Sequence, residues 1–167
     1  MMISRDQVYA SRYLAGRVKR YSTWPMLQAQ SVGEHCWGVA CIYVEVFGLP
    51  RSEVLYYCLH HDSGELWSGD LPFGTKLKVN GLKDRMEEAE AIGLQKLEIR
   101  LPDLLLIERV QVKISDLLEM YETGKHEVNL GNNYAYPIMH DTSSAAQKIA
   151  AQHGLSNKVN DWLRRNS

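Results

Sequence analysis

Residues 31–62 read SVGEHCWGVACIYVEVFGLPRSEVLYYCLHHD, and the punctuation inside them decides the fold. Ser31 and Glu34 stand at capping-box spacing: a serine side chain accepts from an amide three residues on, while the glutamate reaches back to the serine's own amide. A helix is expected from there to Phe47, with Gly48 past its end and Pro50 opening the next one. That next helix should cover roughly Arg51 to His61, with Val54, Leu55, Cys58 and Leu59 on one apolar face. The stretch ends on His61-Asp62, an imidazole and a carboxylate on adjacent residues where a helix stops. Such a pair can share one divalent cation if further ligands come within reach.

The same helical period continues on both sides. Upstream, Asp6 to Lys19 carries Val8, Leu14, Ala15 and Val18 as a rough stripe. Downstream lies a loop rich in breakers: Ser63, Gly64, Ser68, Gly69, Asp70, Pro72 and Gly74. Further helices are expected over about Asp84 to Arg100, stopped before Pro102, and from near Asp103 to about Glu122, ended by Gly124. A turn at Gly131-Asn132-Asn133 precedes two closing helices, Pro137 to Gln152 and Leu155 to Arg165. No sustained alternation of apolar and polar residues suggests a sheet, so the fold class is all-α. A chain of 167 residues is expected to form one domain, long enough to bury a substantial core.

Composition narrows the function classes. A formal net charge of −1 leaves no electrostatic footprint for duplex nucleic acid or an anionic membrane, so an anionic ligand must be held by local basic residues. The apolar stretches break well short of a membrane span. Met1-Met2-Ile3-Ser4-Arg5-Asp6 has no basic segment leading into an apolar run, so no signal peptide is expected. Cys36, Cys41 and Cys58 form no Cys-x-x-Cys pair, and an odd number argues against a disulfide framework. They read as reduced core residues of a cytoplasmic protein.

The chemistry-bearing residues are spread along the helices. His35 lies just after the capping Glu34, and Asp116 falls mid-helix among apolar neighbours in Val112-Lys113-Ile114-Ser115-Asp116-Leu117-Leu118. An aspartate on a mostly buried helix is costly to desolvate unless paired or bound to a cation. Two imidazoles and two carboxylates form the mixed nitrogen and oxygen set that suits Mn, Fe, Co, Ni or Zn with open positions for water. Singly, each residue has a plainer reading: His35 as an ordinary satisfied histidine, Asp116 as a partner of Lys113 or another basic residue. The joint pattern favours a metal centre.

The order Glu34-His35, then His60-His61-Asp62-x-x-Glu65, then Gly69-Asp70-Leu71-Pro72, then Lys113-x-x-Asp116-x-Leu118 resembles the HD-domain phosphohydrolase superfamily. Within it the chain is most similar to bacterial 5'-deoxynucleotidases and small phage-type dATP triphosphohydrolases, over about Arg20 to Glu119. The resemblance implies a single compact HD-domain bundle of roughly six or seven helices. It implies a divalent ion (Co, Mn, Zn, Ni, Fe or Mg) on His35, His61, Asp62 and Asp116, and a catalytic acid/base at Glu65. Phosphate contacts fall on Arg20 and Lys76, and a second catalytic position on Asp70, in the loop over the scissile phosphate and sugar. Pro72 would shape the nucleoside pocket. Tyr21 stands where the bacterial members usually carry tryptophan against the deoxyribose or base. The implied partners are a small-molecule deoxynucleotide and further copies of the chain. The implied location is the cytoplasm, the host's for a phage-encoded chain.

The implied reaction is hydrolysis of a 5'-phosphoester. The short chain and the basic residues Lys78, Lys83 and Arg85 favour a deoxynucleoside triphosphate, with dATP a plausible preference. A 5'-deoxynucleotidase acting on monophosphates is the alternative, and a solvated basic face is an equally good reading of those residues. A non-catalytic nucleotide-binding module is a third reading, against which Glu65 argues. Trp37, on a helix, reads most simply as core, and Trp24-Pro25 as a rigid loop.

Overall fold

A computed structural model describes residues 11–70 and 80–166 of the chain. Seven α-helices lie wholly within them, with no named strand: α1 (Val32–Phe47), α2 (Ser52–His60), α3 (Glu65–Ser68), α4 (Leu82–Lys96), α5 (Leu106–Asn129), α6 (Tyr136–Gln152) and α7 (Ser156–Arg165). A 3-10 turn, Asn133–Ala135, precedes α6. The expected all-α class is thus observed. Pro72 and Lys76 lie outside the described residues, as do Gly74, Lys78 and the Asp6 and Val8 of the expected first helix. No helix among the described residues is long and apolar enough to cross a membrane.

The chain resolves into two compact units. Unit 1 gathers residues 1–24, 29–36 and 60–101; unit 2 gathers 25–28, 37–59 and 102–167. In unit 1, residues 11–15 are helical, and the turn after them starts at Gly16, earlier than the expected Lys19. Backbone pairing with the first residues of α1 and with Gln30 just before it explains the early stop. Gly33 donates to Gly16 O at 2.9 Å, Val32 to Val18 O at 2.8 Å and Arg20 to Gln30 O at 2.9 Å. The Ser31 capping box is formed as read: Ser31 N donates to Glu34 Oε2 at 2.7 Å, and Glu34 N to Ser31 Oγ at 3.2 Å.

Helix α4 ends at Lys96, short of the expected Arg100. Ile99 N turns back to Leu94 O at 3.0 Å, and Glu98 takes a left-handed φ of 54°. The Arg12 guanidinium holds the carbonyls this turn exposes, donating to Leu97 O at 2.6 Å and Glu98 O at 2.9 Å. Burial of Ala15, Leu97 and Ile99 forms the apolar centre of unit 1.

In unit 2 the long α5 corrects a second expectation. It does not stop at Gly124 but runs through it to Asn129. A Cβ at Gly124 would stand 2.7 Å from Met139 N of α6, so this glycine lets two helices approach closely instead of ending one. Around that crossing Ile42, Ile114, Leu118, Ala146, Val159 and Trp162 form the larger core. Trp162 is fully buried, and its indole N–H donates to Glu45 Oε2 at 2.9 Å, as a buried indole requires. Trp37, expected in the core, is 67% exposed. The buried face of α1 is set by Val39, Ile42, Tyr43 and Val46, and Trp37 does not belong to it.

Candidate metal centre

The turn between α2 and α3 is built from successive short hydrogen bonds. Ser63 N donates to His60 O at 3.0 Å, Glu65 N to Asp62 O at 3.0 Å and Trp67 N to Gly64 O at 3.2 Å. Gly69 N then closes on Glu65 O at 2.8 Å, with a left-handed φ of 71° that glycine adopts without strain. This winding leads from Asp62 to Glu65 in a single turn, Glu65 N bonding back to Asp62 O. The four-residue α3 itself was not expected in a stretch so rich in helix breakers.

His35 is brought to that turn by the first turn of α1. It is fully buried, and its Nε2 lies 3.4 Å from Asp62 Oδ2. His61 Nε2 lies 3.5 Å from the other oxygen, Asp62 Oδ1. The imidazole rings are tilted by 55° with centroids 5.5 Å apart. The three donor atoms lie within 4.8 Å of one another. Donors about 2.1 Å from a shared ion stand roughly 3 to 4 Å apart, and both measured nitrogen–oxygen separations fall in that span. Two imidazole nitrogens and a carboxylate therefore fit a divalent transition metal.

Glu65 is 4% exposed, one helical turn on from Asp62. Two further groups are tuned by burial, one in each unit. His60 sits below its ordinary pKa because burial disfavours the imidazolium and the Arg12 charge adds to this. Its Nδ1 faces Ser63 Oγ at 3.4 Å. In unit 2 the Cys58 thiol is pushed up to about 12, first by burial and further by the negative charge of Asp116.

The other expected site residues are found in different settings. In unit 1, Arg20 lies in the paired segment before α1, its Nη1 donating to Gln30 Oε1 at 3.0 Å and its guanidinium over the Tyr21 ring at 5.2 Å. Tyr21 takes a left-handed φ of 56°, and its amide donates to Asp70 Oδ2 at 2.8 Å. Asp70 thus holds the backbone beside Arg20, a role the sequence did not suggest. In unit 2, Asp116 accepts from Lys113 Nζ at 2.6 Å, the plainer pairing already visible in the sequence. Lys83 forms an exposed pair with Glu87 at 3.5 Å within α4, and Arg85 is exposed on the same helix. Those two cations belong to a solvated helical face. Tyr134, unassigned from sequence, lines an open cavity of about 570 Å³ with Pro25, Leu27 and Leu130.

Two participants escaped the sequence reading. Gln30 carries no motif and is visible only once the chain pairs across ten residues. Cys36, read as plain core, places its sulfur 3.8 Å from His61 Nδ1. Its position directly after His35 was the available signal.

Comparison with solved structures gives the same architecture. A cyanophage S-2L HD phosphohydrolase (DatZ), bound to dA and one catalytic Zn²⁺ ion, overlays with a TM-score of 0.75 at 19% identity, covering 99% of this chain and 98% of that one. An HD-domain phosphohydrolase (lin2634) from Listeria innocua overlays with a TM-score of 0.60 at 19% identity, covering 95% and 84%. A search of curated proteins finds no match. Residues 14–161 match the family described as 5'-deoxynucleotidase YfbR-like. On that match, spanning nearly the whole chain, the protein belongs to the YfbR-like 5'-deoxynucleotidase family, phosphohydrolases of deoxynucleotides, and its fold is that of the HD-domain phosphohydrolases it overlays.

Proposed function

We propose that the protein hydrolyses the 5'-phosphoester of a deoxynucleoside 5'-monophosphate, releasing the deoxynucleoside and phosphate. The observation that carries this reading is the convergence of His35 Nε2 and His61 Nε2 on the two oxygens of Asp62, with buried Glu65 one turn on. His35, His61 and Asp62 are the proposed metal ligands, and Asp116 is the fourth on its place in the sequence pattern. Its contact with Lys113 is compatible with that role, because a carboxylate has two oxygens to share. A bound divalent cation supplies Lewis acidity and neutralises charge at the phosphate.

The remaining roles belong to the chain. Water adds to phosphorus as the bond to the 5'-oxygen breaks, and Glu65 is the proposed donor of the proton that the leaving oxygen takes up. The Arg20 guanidinium offers a fork to phosphate oxygens, and Gln30 limits its freedom. Tyr21 is the proposed wall of the sugar site, its backbone fixed by Asp70. Lys76 and Pro72 complete the proposed substrate contacts on the sequence pattern.

The monophosphate is favoured by the family's description and by the engagement of Lys83 with Glu87, which removes one of the cations that suggested a longer polyphosphate. A triphosphate substrate such as dATP is the second reading. The cyanophage enzyme that overlays this chain is bound to dA, the deoxynucleoside that either reaction would release from an adenine deoxynucleotide. Incubating the protein with dAMP and with dATP in the presence of Mn²⁺, Co²⁺ or Zn²⁺ separates the two by the product, phosphate or triphosphate. Glu65→Ala should lose turnover by at least about a hundredfold while keeping metal and nucleotide binding. A fully active Glu65→Ala protein would remove Glu65 from the mechanism.

A further inference from the structure

We propose that Cys36 is the positioning partner of the metal ligand His61, holding its ring in the tautomer that turns Nε2 to the ion. This rests on the ligand assignment above. His61 presents its two nitrogens to different neighbours: Nε2 faces Asp62 Oδ1 at 3.5 Å, and Nδ1 faces Cys36 Sγ at 3.8 Å. A nitrogen that binds a cation must offer its lone pair, so the ring proton has to sit on the other nitrogen. That places the proton on Nδ1, where the sulfur accepts it. Metal-binding histidines are commonly oriented by such an outer acceptor, which fixes the ring and raises its basicity.

The arrangement follows from one helical turn. His35 and Cys36 are adjacent in α1, His35 fully buried and Cys36 2% exposed. The first supplies a ligand nitrogen, and the second reaches the far side of the other ligand's ring. Sulfur is a weaker acceptor than a carboxylate or carbonyl oxygen. It therefore orients the ring while adding little negative charge to a centre that must also take an anionic phosphate.

The test is metal binding by the full-length protein, with no substrate present. Zn²⁺ affinity is measured by competition with a chromophoric chelator, and the Co²⁺ form is followed by visible absorption. Cys36→Val keeps an apolar side chain of similar size and removes the acceptor; Zn²⁺ affinity should fall about tenfold, the lower end for loss of an outer partner. Cys36→Ser restores an acceptor and should bind more tightly than Cys36→Val. The unsubstituted Co²⁺ protein should show ligand-field bands without a thiolate charge-transfer band, and Cys36→Val should shift those bands. Equal affinity of Cys36→Val and the parent protein would overturn the proposal, leaving Cys36 a packing residue. A thiolate charge-transfer band would also overturn it, by making Cys36 a ligand. His61→Ala separates the two levels of inference: if it binds Zn²⁺ as tightly as the parent, the ligand assignment fails. Circular dichroism of each apo-variant verifies the fold, and if Cys36→Val does not fold, Cys36→Ala is measured in its place.

Discussion

Tyr21 pays a conformational cost that only makes sense with its neighbour. A non-glycine residue in the left-handed region is strained by roughly 1 to 2 kcal/mol, and Tyr21 sits there with φ at 56°. The bond from its amide to Asp70 Oδ2 at 2.8 Å offsets that strain, since an ionised acceptor makes a stronger bond than a neutral one. If Tyr21 and Arg20 contact substrate as proposed, releasing the backbone should loosen both. Asp70→Ala is expected to raise KM for the deoxynucleotide about tenfold, the equivalent of one lost hydrogen bond to a charged group. Asp70→Asn keeps an acceptor oxygen and should lose less. Steady-state kinetics on both variants measure this, and an unchanged KM in Asp70→Ala would separate Asp70 from substrate binding.

At the scale of helices, two close contacts fix elements that polar pairing alone would not. Gly64, between Asp62 and Glu65, lies against α4 so tightly that a Cβ there would collide with the Glu90 carbonyl, and one on Gly93 would stand 2.5 Å from Gly64 O. Gly93→Ala should therefore destabilise the protein by about 2 kcal/mol through overpacking and weaken Zn²⁺ binding with it, because the displaced strand of chain carries a ligand. Thermal melting and metal titration of the same variant test whether the two losses travel together. In unit 2, Glu127 is 1% exposed and accepts from Leu27 N at 2.7 Å, Gln28 N at 2.8 Å and Asn132 Nδ2 at 2.6 Å. Burial raises its pKa, but the Asn132 and backbone hydrogen bonds together outweigh this and hold it below its ordinary 4.5. A carboxylate with a depressed pKa stabilises the fold above the unfolded value, and that contribution drains away as pH falls through the folded one. Urea titrations below pH 4.5 should show this loss in the parent and not in Glu127→Gln, whose stability is lower at neutral pH. Elements of this kind mark the limit of sequence reading. The Ser31–Glu34 cap and the His61-Asp62 pair are local and were legible. Gly124 and Gly64 read as helix breakers, because a glycine that admits a neighbouring helix looks the same in sequence as one that ends its own. The Asp70–Tyr21 and Cys36–His61 contacts join residues 49 and 25 positions apart, and no periodicity encodes them.

For the molecule as a whole, we propose that the chain is one folding domain even though its contacts sort into two units. The division falls between Cys36 and Trp37 inside α1, and between Leu59 and His60 inside α2. Helix propagation is cooperative, and an uninterrupted helix resists melting in one half alone. Each unit also has a reason to need the shared helices. The apolar centre of unit 1 is small, Ala15, Leu97 and Ile99, whereas Ile42, Val46, Val39 and Tyr43 of α1 lie in the cores of unit 2. Thermal unfolding should accordingly be a single transition by calorimetry and by far-UV circular dichroism. Metal binding sharpens the test, because three of the four proposed ligands, His35, His61 and Asp62, belong to unit 1. Zn²⁺ at a hundred times its Kd should add about 2.7 kcal/mol, raising the midpoint by roughly 5 to 10 °C for a chain of this length. In a single domain the whole transition moves. Two transitions, of which chelation by EDTA lowers only one, would show instead that the unit bearing those three ligands folds separately from the unit built on α5, and would remove Asp116 from the ligand set.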